Sequence, residues 1–178
     1  MRCRQDAVQA IMIDMQERLL PAMAEKEKVL ESSVKLTKGL EILGVPVIAS
    51  QQYTKGLGET VEPLRGIGGV KFFEKITFSC MDEPAICDAV IPEKKQVIVY
   101  GVEIHVCVQA TVLDLIERGY TVFLPSDCVS SRKLHDKEAA LRRMEQAGAI
   151  ITTYESLLYD LTVRAGTPVF KQISALTK

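Results

Sequence analysis

Histidine is nearly absent. The 178-residue chain has 2, against 22 Lys plus Arg and 23 Asp plus Glu, and it has no Trp. Two imidazoles leave little room for a His-rich metal site. Neither charge sign is in excess. A formal net charge of -1 argues against a broad electrostatic grip on nucleic acid or an anionic lipid surface. No run approaches the ~18 apolar residues of a membrane span. The charged start, Met1 to Asp6, precedes only a short apolar stretch, Ala7 to Ile13, before Asp14 and Glu17. That pattern does not match a secretory signal. The 5 cysteines are an odd number, so at least one thiol is unpaired unless chains are cross-linked. The expectation is a soluble cytoplasmic protein with reduced thiols.

What is present is ordinary globular composition, 47% apolar and 25% charged. At roughly 150 residues per domain, the length predicts one domain over 1–178. A chain this long buries about 70% of its unfolded surface and needs no disulfide staple.

Short apolar runs alternate with longer amphipathic stretches. The runs are Val8 to Ile13, Val45 to Ser50, Gly69 to Phe73, Gln96 to Tyr100, Thr121 to Pro125 and Ala149 to Thr153. They are β-branched and mostly continuous, as in strands buried on both faces. Between them, Val29, Leu30, Val34, Leu36, Leu40 and Leu43 approximate a helical period that ends at Gly44. Val106 to Arg118 reads as a helix ending at Gly119, and Leu141, Met144 and Ala147 line a helix ending at Gly148. Each Gly fits the left-handed position after a helix. Alternating strand and helix implies a parallel sheet, helices on both faces, and right-handed crossovers. The segment from Gln51 to Gly69 reads as a long loop.

In such a sheet, ligands bind beyond the carboxyl ends of the strands. The chemistry-bearing residues there include Asp14 and Gln16, then Gln52 and Tyr53, then Lys75, and then Glu103, His105 and Cys107. Cys107 follows a strand and sits near a helix start, where the helix dipole lowers a thiol pKa and backbone amides can hold an oxyanion. His105, two residues from Cys107, and His135, before a surface helix, make no convincing Cys–His pair. Asp14, the lone carboxylate closing an apolar strand, is the better base candidate, and its burial should raise its pKa. Lys75 could supply the positive charge. Cys80 and Cys87 flank a short helix and read as packing residues.

Three segments carry a resemblance. Ile13-Asp14-Met15-Gln16, Phe73-Glu74-Lys75-Ile76-Thr77-Phe78-Ser79 and Tyr100-Gly101-Val102-Glu103-Ile104-His105-Val106-Cys107-Val108 resemble the acid, lysine and nucleophile segments of the isochorismatase-like cysteine hydrolases. That superfamily includes nicotinamidases and N-carbamoylsarcosine amidohydrolase-type enzymes. Order and spacing agree over residues 6–160. The segments Ser50 to Gly58 and Cys128 to Arg132 resemble a subgroup close to eukaryotic isochorismatase-domain proteins.

The resemblance implies an α/β, three-layer αβα sandwich with a six-stranded parallel sheet, Rossmann-like, in the order 3-2-1-4-5-6. It implies Cys107 as nucleophile, Asp14 as general base and Lys75 as the stabilising cation. It implies a non-proline cis peptide at Glu103–Ile104 that aims the amides of Glu103 and Cys107 at one oxyanion. Gln16, Gln52, Tyr53 and Phe78 are substrate-lining candidates, and Ile104, where relatives often have Thr, would make the pocket wall more apolar. Nicotinamidases of the superfamily hold a metal with an Asp-x-His pair after the second strand. Here that stretch is Ser50-Gln51-Gln52-Tyr53-Thr54, so neither metal nor cofactor is expected and nicotinamide is disfavoured as substrate.

The function these expectations describe is metal-independent hydrolysis of a small amide or related acyl compound through a Cys thioester. The partners are a small molecule and further copies of the chain, with neither nucleic acid nor membrane. The alternatives are a non-catalytic interaction protein on the same fold and a ribonuclease-like activity. The dispersed Lys and Arg residues give the ribonuclease reading little support.

Overall fold

A computed structural model describes residues 1–178. Seven strands are present: β1 (Val8–Ile13), β2 (Val47–Gln52), β3 (Val70–Lys75), β4 (Gln96–Val102), β5 (Thr121–Pro125), β6 (Val129–Ser130) and β7 (Ile150–Thr152). All pairings are parallel, six strands lie in the order β3-β2-β1-β4-β5-β7, and β6 pairs with β4. The predicted six-strand order therefore holds, with one two-residue strand added that is too short to show a period.

The eight helices are α1 (Lys26–Ile42), α2 (Thr54–Leu57), α3 (Glu62–Arg65), α4 (Pro84–Ala89), α5 (Gln109–Glu117), α6 (Leu134–Gln146), α7 (Tyr154–Thr162) and α8 (Pro168–Thr177). Helices α1, α7 and α8 pack together, and α5 packs on α6, giving the sandwich its outer layers. Burial explains the arrangement. Every residue of β1 and β4 is buried, so the central strands must be covered on both faces. The edge strands β3 and β7 are only partly buried, which corrects the expectation that all strands are wholly enclosed. Edge position leaves one flank to solvent. Gly44, Gly119 and Gly148 take positive φ, as their capping places predicted.

The predicted loop from Gln51 to Gly69 is more ordered than expected. β2 continues through Gln52, and α2 and α3 occupy two single turns. Helices of four residues are too short for apolar periodicity to reveal.

Strands β1 and β4 are the neighbours at which the strand order reverses, with Ile13 in register with Gly101. The crevice beyond their carboxyl ends is the place where this topology puts ligands. Gly101 is required there. Its φ is +125°, and a Cβ on it would run into the backbone carbonyl and amide of Ile13. The close approach of the two backbones brings the chain leaving β1 beside the chain leaving β4.

Candidate active site

Asp14 follows β1 directly. Its φ of 51° is left-handed, a conformation that Asp tolerates better than most residues. The turn is held by hydrogen bonds from the Asp14 amide to the Ser50 carbonyl and from the Gln16 amide to the Asp14 carbonyl. It folds the carboxylate under the strand end, and Asp14 is fully buried.

Lys75 reaches the same point from the sheet edge. It ends β3, in register with Gln52 of β2, and its side chain has 0% exposure. Its Nζ donates to Asp14 Oδ2 at 2.9 Å, to Gln52 Oε1 at 2.6 Å, and to the carbonyls of Thr77 at 3.1 Å and Phe78 at 3.3 Å. The other carboxylate oxygen, Asp14 Oδ1, accepts from Ser50 Oγ at 2.7 Å. A buried charge without such partners costs several kcal/mol. Here both ions are paired and their remaining polar contacts are satisfied.

Cys107 comes from the β4 side. The chain leaves Val102, passes Glu103 in an extended conformation, and makes a single π-helical turn over Ile104–Val108 before α5. Turns of this kind recur at functional sites. The turn is tied down from outside. Arg132 Nε donates to Glu103 Oε2 at 2.9 Å, and His105 Nδ1 lies 2.7 Å from Ser131 Oγ. His105 therefore points to the Ser131 loop and not to the thiol, as its spacing predicted. Cys107 is 6% exposed, so of the three residues its thiol is the most open to an approaching molecule.

The three residues predicted to act together are thus brought together: Asp14 and Lys75 are paired, and their charges act on the Cys107 thiol. Burial, reinforced by the Asp14 charge, pushes the Cys107 thiol up to about 12 despite the opposing pull of Lys75. This corrects the expectation from the helix start. A helix dipole acts locally and favours the thiolate, but removal from water and the negative charge of Asp14 outweigh it. At neutral pH Cys107 is a protonated thiol. For Lys75, burial pulls the ammonium down, yet the Asp14 charge and hydrogen bond, with Cys107 and Cys80, carry the net shift upward.

These directions predict alkaline sensitivity. Cys3, buried by the fold, is also raised to about 12 from an ordinary 9.0. A group whose folded pKa is raised stabilises the fold below its unfolded pKa and loses that contribution as pH rises. Stability should therefore hold up to about pH 9 and fall above it, by at most roughly 1.4 kcal/mol per pH unit for each such thiol. Urea midpoints in buffers from about pH 7 to 11 check this; an unchanged midpoint above pH 9 would contradict it.

Other predicted residues are placed differently. The cis peptide bond is Val102–Glu103, one position before the Glu103–Ile104 bond that the resemblance implied. Val102 still pairs in the sheet with Ser130, and Ile104 already opens the π turn. Ile104 is fully buried in the hydrophobic core and so does not form an open wall. Gln16 is fully buried. Its amide donates to the Gln52 and Gly58 carbonyls and accepts from the Gln52 amide, so it clamps β1 to the segment after β2. Gln52 receives the Lys75 ammonium. Tyr53 and Phe78 are 52% and 63% exposed; the Tyr53 amide donates to the Lys75 carbonyl, and the Phe78 carbonyl accepts from Lys75 Nζ. Thr54, at the other position where a metal ligand would be expected, donates its amide to Glu74 Oε1.

Three residues escaped sequence reading. Ser50 bonds to Asp14, Thr111 donates to the Cys107 carbonyl at 2.8 Å, and Cys80 lies in the same buried cluster. Ser50 alone carried a usable signal, its register beside Ile13 at a strand end. The largest concavity, about 830 Å³, lies at the opposite ends of the strands among Arg2, Cys3, Arg4, Asp6 and Asp160. Its size does not make it the reacting site, because the paired charges of Asp14 and Lys75 lie elsewhere, with Cys107.

Comparison with known proteins agrees. The model of the isochorismatase domain matches residues 9–156. Isochorismatase domain-containing protein 1 of Danio rerio is 42% identical over 166 residues, which is 93% of this chain and 59% of that protein; the chain thus spans under two thirds of that relative's length. The structure described as MAR1 ribonuclease from Caenorhabditis elegans superimposes with a TM-score of 0.93 at 35% identity, covering 99% of this chain and 92% of that one. The YcaC gene product of Escherichia coli, described as an octameric hydrolase of unknown specificity, shares the fold at a TM-score of 0.92 and 23% identity, covering 98% and 90%. No helix is long and apolar enough to cross a membrane. With the predicted strand order present, and the acid, lysine and thiol converging at the reversal of that order, the chain belongs to the isochorismatase domain family.

Proposed function

We propose that the protein is a cysteine hydrolase of a small amide or related acyl compound, working without a metal through Asp14, Lys75 and Cys107. The observation that carries the reading is the fully buried Asp14–Lys75 pair, 2.9 Å apart, with the less buried Cys107 thiol at its edge.

The residues set the order of steps. Substrate enters against Cys107. Asp14 takes the thiol proton as sulfur attacks the carbonyl carbon. Lys75 stays protonated throughout and keeps Asp14 in place, so the proton moves only between sulfur, carboxylate and leaving group. The oxyanion falls on the amides of Glu103 and Cys107, each such donor contributing about 3 kcal/mol. The tetrahedral species collapses, the C–N bond breaks, and Asp14 gives its proton to the departing amine. Water then attacks the thioester with Asp14 again as base. The C–S bond breaks, the acid leaves, and the thiol is restored.

The protonated thiol suits this sequence, since Asp14 can take its proton as sulfur attacks. The exposed Tyr53, Ile76 and Phe78 follow Gln52 and Lys75 in the chain and offer an apolar rim, which supports a small, partly apolar acyl group. The same rim, with the octamer described for YcaC, supports self-association. None of the five cysteines is in a disulfide, which supports a reducing cytoplasmic setting. The ribonuclease description belongs to the nematode protein. In this chain a net charge of -1 and a thiol–carboxylate pair favour acyl over phosphoryl transfer.

Hydrolysis of a panel of small amides, carbamoyl compounds and vinyl ethers tests the reading. Wild type should turn over at least one, with Cys107→Ala and Asp14→Asn each at least about 10³-fold slower. Equal activity in Cys107→Ala would end the proposal.

A further inference from the structure

The acyl-transfer steps leave one buried nucleophile unused. Cys80 is fully buried and begins a short 3-10 turn, Cys80–Asp82. This turn is docked on the nucleophile helix. Ser79 Oγ donates to Asp114 Oδ2, and the Cys80 amide donates to Thr111 Oγ1 at 2.9 Å. The same Thr111 hydroxyl donates to the Cys107 carbonyl at 2.8 Å. One hydroxyl therefore bridges the backbones of the two cysteines. Both thiols also lie in the field of Asp14 and Lys75.

We propose that Cys80 is the resolving thiol for an oxidised Cys107, so that small hydroperoxides switch the site off reversibly through a Cys80–Cys107 disulfide. The proposal rests on the reading of Cys107 as a reactive thiol. In the first step the Cys107 sulfur, its proton passing to Asp14, attacks the near oxygen of the hydroperoxide. The O–O bond breaks, Cys107 becomes a sulfenic acid, and the peroxide leaves as an alcohol or water with the returned proton. Sulfur is oxidised by two electrons and the peroxide is reduced by two. In the second step the Cys80 sulfur attacks the sulfenic sulfur. The S–S bond forms, the S–O bond breaks, and hydroxide takes the Cys80 proton and departs as water. The disulfide holds sulfur below the sulfinic stage, from which recovery is not spontaneous. Closure needs the Cα atoms within about 4.4–6.8 Å, and a short turn docked by one hydroxyl bridge is the element best able to adjust.

The test is exposure of the full chain to excess hydrogen peroxide, alkylation under denaturing conditions, and intact-mass and peptide analysis. Wild type should lose two hydrogens, yield a Cys80–Cys107 cross-linked peptide, and regain hydrolysis with dithiothreitol. Cys80→Ala should hydrolyse like wild type before treatment, then accumulate two or three oxygens on Cys107 and stay inactive. Cys80→Ser gives the same readout if the alanine variant folds poorly. Sulfinic Cys107 in wild type without the cross-link, or equal dithiothreitol rescue of wild type and the Cys80 variants, would overturn the proposal. Parallel iodoacetamide labelling separates two failures. A labelled Cys107 that never cross-links refutes the pairing alone. A Cys107 inert to both reagents refutes the pairing and the nucleophile reading together.

Discussion

Replacing Lys75 with methionine is expected to destabilise the protein by about 3–5 kcal/mol and to remove hydrolysis. Methionine fills nearly the same space, so the loss does not come from a cavity. It comes from Asp14, which is buried in a site with no exposure and is left with the Ser50 hydroxyl as its side-chain hydrogen-bond partner. Gln52 Oε1 and the carbonyls of Thr77 and Phe78 lose their donor at the same time. The double variant Lys75→Met, Asp14→Asn removes both charges and should recover part of the stability without recovering activity. Denaturant unfolding of the four proteins measures the coupling. A loss below about 1 kcal/mol for Lys75→Met would show the pair to be far better solvated than its burial indicates.

Gly101→Ala should be as damaging for a different reason. The residue sits at φ +125°, and the added methyl would overlap the Ile13 backbone, which cannot swing aside as a side chain can. β1 and β4 would have to separate where Asp14 and Glu103 leave the sheet. The expected result is a loss of more than about 4 kcal/mol, or aggregation, with any soluble fraction inactive. Gly44→Ala is the control. It also has positive φ but nothing within 4 Å of the added atom, so only the backbone cost of about 1–2 kcal/mol applies. Similar thermal midpoints for the two variants would mean that strand contact at Gly101 is not tight.

The contrast between these glycines shows where sequence reasoning reaches. Gly44 announces itself by ending an apolar helical period. Gly101 lies inside a strand, and its necessity depends on the neighbouring strand. Strand order, too, follows from local pattern, because continuous β-branched runs alternate with amphipathic segments and the connections obey a fixed hand. Asp14 and Cys107 were readable as polar residues just past buried strands. Lys75 was readable only as one strand-end residue that could supply a positive charge, since a lysine at the end of an edge strand looks like solvated surface; the resemblance of its segment strengthened the choice. Ser50, Thr111 and Cys80 look like ordinary small residues within elements, and what they do is set by contacts made across 31 to 36 positions of the chain. The protonation of Cys107 shows the same division. Position on a helix start is a sequence property, whereas burial and the charge of Asp14 belong to the assembled fold, and the latter decide.

The position of the cis peptide marks a finer limit. The resemblance located the segment correctly and missed the bond by one residue, because strand β4 runs to Val102 and the π turn opens at Ile104. Similarly, Gln16 was placed near the site but not in its role. Its amide is committed to three backbone partners and holds β1 against the segment that carries Gln52.

The most direct measurement of the central claim is the identity of the atom that carries the acyl group. Mixing the full chain with p-nitrophenyl acetate, quenching in acid within the first turnover and mapping the peptides should place one acetyl group on Cys107, with a burst of nitrophenol matched to the enzyme concentration. Asp14→Asn should show neither burst nor adduct. An acetyl group found on another residue, or an equal burst from Cys107→Ala, would contradict the assignment of Cys107 as nucleophile.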